Sequence, residues 1–167
     1  MIVWILIVIG LVTIDQVSKL LIVNTFASYA VGAEKTIPII QDFFHFSYVE
    51  NTGAVFGLGG DTTFGMYFFL VTAIVATFVF GYMLLKSDFK NKKKFWYTLS
   101  LALLIAGTLG NFLDRSIHSY VIDFIDFRGI WIYVFNFADM CLNVGIALFL
   151  IDQFFLEPKR NKTNETT

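Results

Sequence analysis

Long apolar runs, each broken by one compact polar cluster, make up most of the chain. No charged residue occurs from Met1 to Ile14; Asp15-Gln16-Val17-Ser18-Lys19 then interrupts the run, and Leu20-Leu21-Ile22-Val23 resumes it. The pattern recurs at Asn111-Phe112-Leu113-Asp114-Arg115 and at Asn136-Phe137-Ala138-Asp139, each beside another apolar run. Four stretches, at about residues 2–23, 64–85, 95–113 and 134–156, reach the roughly 20 residues that a helix needs to cross a hydrocarbon core. The pattern predicts a membrane all-α bundle of four transmembrane helices. Outer loops would span 24–63 and 116–133, with a cytoplasmic loop at 86–94 and a tail at 157–167. Phe43 to Val49 is aromatic with partial alternation and runs into Glu50-Asn51-Thr52-Gly53, which reads as strand and turn. A small extracytoplasmic β-sheet element on the membrane surface is therefore expected. Gly57, Gly59 and Gly60 are expected to loosen the approach to the second span.

Composition agrees with the membrane class. Apolar residues make up 57% of the 167 and charged residues 15%, against about 25% in soluble domains. The whole chain, 1–167, is expected to form a single domain. A net charge of −1 gives no reason to expect a nucleic-acid partner, and the lone Cys141 excludes an internal disulfide and any paired-cysteine site. The first span lacks a basic leader and a small-residue cleavage site, so it is expected to be retained. Eight of the twelve Lys and Arg fall at Lys86, Lys90, Lys92, Lys93, Lys94, Lys159, Arg160 and Lys162. The positive-inside rule then puts both termini in the cytoplasm. The sequons at Asn161 and Asn164 would lie inside and are read as chance.

Intramembrane charge needs an explanation, because each charge at a helix centre costs about 2.5–3.5 kcal/mol on insertion scales. At about 1.5 Å per residue, Asp15, Asp114 and Asp139 lie roughly 20, 28 and 26 Å from the cytoplasmic ends of their spans. All three acids approach the outer boundary, which suggests one shared site. Spacing selects a face on each helix: Asp15 with Lys19; Gly107, Asn111 and Asp114 or Arg115; Asn136, Asp139 and Asn143. Gly107 and Gly110 would admit a neighbouring backbone closely. In the second outer loop, Asp123 sits among β-branched and aromatic residues, an odd place for a merely solvated acid.

Five motifs in order, Asp15-Gln-Val-Ser-Lys19, Asn51-Thr-Gly-Ala-Val-Phe56, Gly107-Thr-Leu-Gly-Asn-Phe-Leu-Asp-Arg115, Val121-Ile-Asp-Phe-Ile125 and Phe135-Asn-Phe-Ala-Asp139, resemble those of the bacterial lipoprotein signal peptidases, or signal peptidase II. The resemblance implies an intramembrane aspartic endopeptidase of the bacterial cytoplasmic membrane, with its site near the outer boundary. Its substrates would be prolipoproteins carrying diacylglyceryl-cysteine, cut just before that cysteine. The resemblance transfers the catalytic dyad to Asp123 and Asp139. Two close carboxylates share a proton, so one can activate water while the other donates. Asp114 is the rival for a dyad place, but the adjacent Arg115 would keep it ionised and make it an orienting partner. Arg115 is expected to hold a substrate carbonyl or lipid ester, Asn111 and Asn136 to fix carboxylates or substrate backbone, Asp15 and Lys19 to pair, and Asn51 to bring the sheet over the site. No cofactor or metal is expected; membrane lipid is a partner, and a monomer is expected.

Other chemistries fit the residues less well. Cys141 would need a base, and His45 and His118 both lie in outer loops. Those histidines show no metal-site spacing. A proton or ion relay would need acids across the whole membrane, yet the cytoplasmic halves of the spans hold little besides Asp152. A purely structural subunit would explain the helix charges but not the acid in the partly β outer loop.

Overall fold

A computed structural model describes residues 1–31, 33–53 and 63–160. The expectations for Ala54 to Gly60 and for both tail sequons fall outside these residues. Four helices are long and apolar enough to cross a membrane. Helix α1 covers Ile2–Phe26, α2 Thr63–Leu85, α3 Phe95–His118 and α4 Phe137–Ile151. Beyond α4 the chain makes a π turn, Asp152–Leu156, and stays helical to Arg160. Three strands, β1 Thr36–Ile40, β2 Phe44–Asn51 and β3 Val121–Phe127, form one antiparallel sheet in the order β1-β2-β3.

Helix α3 is the hub. Of its most apolar stretch, 61% is buried, against 6–17% in the other three, whose large apolar side chains point outward as a lipid-facing surface requires. Leu101, Ala102, Ile105 and Ala106 on α3 pack with Val8 of α1 and Leu84 of α2. Such a core brings little hydrophobic gain in lipid, so close packing and polar contacts must hold the helices together. Two α3 glycines provide the approach. A Cβ on Gly107 would stand 2.5 Å from the Ala138 carbonyl oxygen, and one on Gly110 would stand 2.6 Å from Asp15 Oδ2.

Two boundaries differ from the sequence reading. Helix α3 continues to His118 and ends at Ser119, whose left-handed φ of 69° turns the chain into β3 two residues later. Asp114 and Arg115 are therefore helical, and Asp123 is carried back over them. Helix α4 starts at Phe137 rather than near Val134, because Asn136 is its N-cap: the Asn136 side chain accepts from the Asp139 amide, and Asp139 accepts from the Asn136 amide. Phe135 instead bridges to Ile125 of β3. The sheet packs on the end of α1, with Phe46, Ile122 and Phe124 against Ile22 and Phe26. Pro38, which lacks a ladder donor, sits on the edge strand β1, where that is tolerated.

Candidate active site

The polar clusters of α1, α3 and α4 meet at the sheet end of the bundle. Asp15 and Lys19, one turn apart on α1, face Asp114 of α3. Lys19 Nζ lies 2.8 Å from Asp15 Oδ2 and 2.9 Å from Asp114 Oδ2, and no more than 3% of any of these side chains is exposed. Charges this deep persist only if their remaining hydrogen bonds are made. Asp15 Oδ1 accepts from the Ala138 amide at 2.9 Å, at the positive end of α4. Asp114 accepts from the Ile122 amide at 3.1 Å and from Gln16 at 2.9 Å. The cluster thus joins α1, α3, α4 and β3.

The cation that meets Asp114 is Lys19, which corrects the expectation that Arg115 would hold it. Neighbouring residues on a helix point about 100° apart, so adjacency in sequence did not make a pair. Arg115 instead donates to the Gly53 carbonyl at 3.1 Å and lies 4.9 Å from the centroid of the Phe69 ring. It grips the segment that follows β2.

Against this cluster lies a second group. Asn111 accepts from Lys19 at 3.2 Å and donates to Asp139 at 2.7 Å. Asn136, fully buried, donates its side-chain amide to Asp123 Oδ1 at 2.6 Å and its backbone amide to Asp139 Oδ2 at 3.1 Å. Asp123 and Asp139 therefore hang from one residue. Asn51 donates to the other Asp123 oxygen at 2.8 Å, tying the end of β2 to the site. Asp123 is buried and Asp139 half-buried. Burial first, and the charge of Asp139 second, push the Asp123 carboxyl up to about 7, against the opposing bonds from Asn51 and Asn136 and the charge of Lys19. A carboxyl that keeps its proton near neutrality beside another carboxylate has the makings of an acid–base pair.

A cavity of about 240 Å³ between α2, α3 and α4 reaches Asn111 and Arg115 past Phe69, Ala73 and Leu142. A larger one, about 470 Å³ and mostly apolar, lies between the sheet and the start of α4, against Phe43, Phe127, Trp131 and Phe135. His45 is buried in β2, His118 stacks on Tyr120, and Cys141 is buried on α4. Among the described residues, no group of three or more His, Cys, Asp or Glu is placed to hold a metal ion.

The family model described as signal peptidase (SPase) II matches residues 7–155. The chain belongs to the signal peptidase II family. The lipoprotein signal peptidase of Clostridioides difficile (strain 630) is 40% identical over 156 residues, covering 93% of this chain and 97% of that protein. The lipoprotein signal peptidase of Desulfitobacterium hafniense (strain DSM 10664 / DCB-2) is 39% identical over 165 residues, covering 98% and 99%. A solved bacterial membrane enzyme superposes with a TM-score of 0.76 at 30% identity, covering 96% of this chain and 91% of that one. Membership of signal peptidase II makes the chain a multi-pass membrane peptidase and sets aside the relay and structural-subunit readings.

Eight of the nine site residues expected from the sequence of this signal peptidase II member lie in the two joined clusters, and Arg115 reaches them through Gly53, whose amide donates to Asn51. Three contributors were missed. Gln16 bonds Asp15, Asp114 and the Gly110 carbonyl. The amides of Ile122 and Ala138 donate to Asp114 and Asp15, and backbone donors leave no trace in residue type. Asn136 was expected as a polar ligand but not as a helix cap, although Asn136-x-x-Asp139 is a capping pattern.

Proposed function

We propose that the chain is an aspartic endopeptidase that removes the signal peptide from diacylglyceryl-modified prolipoproteins, cutting just before the lipidated cysteine. The observation that carries this reading is the joint attachment of Asp123 and Asp139 to Asn136. Water held between the two carboxyls would lose a proton to the ionised one while its oxygen attacks the scissile carbonyl carbon, and the protonated one would give its proton to the carbonyl oxygen. Collapse of the diol would then break the C–N bond, with a proton passing to the leaving nitrogen. The raised Asp123 carboxyl favours Asp123 as the initial donor, although the pair titrates together. Relatives that bear the name lipoprotein signal peptidase support the substrate class.

The rest of the reading follows from charge and depth. The lysine-rich loop and tail would face the cytoplasm, and both termini with them. The site would then lie near the outer boundary of the bacterial cytoplasmic membrane, where water and an unwound substrate segment meet. The chain would work as a monomer of one domain, 1–167. The test is release of the signal peptide from a prolipoprotein with and without its diacylglyceryl group, by purified wild type, Asp123→Asn and Asp139→Asn. Cleavage of the lipidated form alone, abolished in both variants, is expected. Near-normal turnover by either variant would remove that residue from the dyad.

A further inference from the structure

The opposite end of the bundle holds a second built polar site. Asp152, with no exposed surface, receives Arg160 through two bonds, Nη1 to Oδ1 at 2.7 Å and Nη2 to Oδ2 at 2.6 Å. Arg160 Nη1 also donates to the Lys93 carbonyl at 3.0 Å. The pair therefore clamps the end of α4 to the lysine-rich link between α2 and α3. Asp152 opens the π turn, a wider helical turn that recurs at functional positions.

The three helix ends so held enclose a cavity of about 220 Å³, with Lys86, Ser87, Lys94, Tyr97, Glu157 and Arg160 in its wall. Asp152 neutralises Arg160, so Lys86 and Lys94 exceed Glu157 by one positive charge. Lys90, Lys92 and Lys93 belong to the same link in the sequence but do not line the cavity, and Asp88 is the one acid of that link. The cavity also has an apolar rim. Tyr82 and Met83 line it, Leu85 beside it is exposed on the lipid-facing flank of α2, and Lys86 lies over the Tyr82 ring. A cationic cavity at the end of the spans, edged by Tyr82 and Tyr97 and beside exposed apolar residues of α2, matches a phosphate joined to acyl chains better than a free ion.

We propose that this cavity binds the phosphate headgroup of an anionic phospholipid in the leaflet on the lysine-rich side. Its excess charge of one suits a monoanionic phosphodiester, and the tyrosine rim accommodates the glyceryl and upper acyl region. The site is independent of the acids at the sheet end and of the peptidase reading.

Native mass spectrometry of the purified full chain, released from a neutral detergent, tests this with phosphatidylglycerol and phosphatidylcholine of matched acyl chains. Wild type is expected to retain one phosphatidylglycerol in preference to phosphatidylcholine. Lys86→Gln/Lys94→Gln should weaken that binding by roughly 30-fold, the scale that two lysines near an anionic surface supply. Lys90→Gln/Lys92→Gln removes the same charge from residues that do not line the cavity and should weaken binding far less than the cavity variant does. Equal losses in the two double variants, or no preference for phosphatidylglycerol in wild type, would overturn the site. Inorganic phosphate displacing the lipid at millimolar concentration would assign the cavity to a soluble anion and overturn the lipid assignment.

Discussion

Replacing Lys19 by methionine removes the one cation between two buried carboxylates while keeping most of the side-chain volume. Lys19 meets Asp15 at 2.8 Å and Asp114 at 2.9 Å with almost no exposure. Breaking a single buried ion pair costs about 3–5 kcal/mol, because the abandoned charge has no solvent to return to. Here two carboxylates are abandoned, although the amides of Ala138 and Ile122 still serve them, so about 3 kcal/mol is the smallest loss the geometry allows. For a chain of this size that corresponds to a melting temperature at least about 6 °C lower. The single thiol of Cys141, 5% exposed, supplies the assay: a thiol-reactive fluorogenic dye labels it as the bundle opens on heating. Adding Asp114→Asn to Lys19→Met should restore part of the loss, with a coupling of about 0.5–3 kcal/mol between the sites. A Lys19→Met protein melting within about 2 °C of wild type, a shift worth about 1 kcal/mol or less, would refute the argument.

Further outcomes follow from the same geometry. Gly110→Ala would put a methyl group 2.6 Å from Asp15 Oδ2, so it should lower both melting temperature and activity, while Gly10→Ala, with nothing within 4 Å, should change neither. Asn136→Ala removes a helix cap, worth about 1 kcal/mol in melting experiments, and also the donor to Asp123, so its loss of turnover should exceed its loss of stability. In the proposed mechanism the donor carboxyl is protonated, and the Asp123 carboxyl is pushed up to about 7, so turnover should fall as pH rises through that value. Asn51→Leu deletes a bond that favours the ionised carboxylate, so that alkaline limb should move to higher pH; a limb that moves down, or stays, would exclude Asp123 as the titrating group.

The sequence by itself determined the bundle and named most of the polar groups that the structure gathers at one end of it. Length and hydropathy mark a span because lipid leaves an isolated backbone little choice but helix, and a charge inside a span announces itself because it is expensive there. Counting residues from the basic ends brought Asp15, Asp114 and Asp139 to a common depth, and the structure joins them through Lys19, Asn111 and the Ala138 amide. The aromatic segment from Phe43 was legible as a strand for a similar reason, since alternation records a half-buried face. Partnership was not legible. Asp114 pairs with Lys19, 95 positions away, rather than with its neighbour Arg115, because which side chains meet is fixed by the rotation and crossing of whole helices. The three-stranded pairing, which lays Asp123 over the bundle, depends on the left-handed turn at Ser119 and on register with β2. Asn136 can hold Asp123 and Asp139 together only once α4 begins at Phe137 and β3 lies across its start. Residue types say which groups cannot be left alone in a membrane; only the packed chain decides which of them satisfy one another, because those contacts join segments that sequence spacing does not relate.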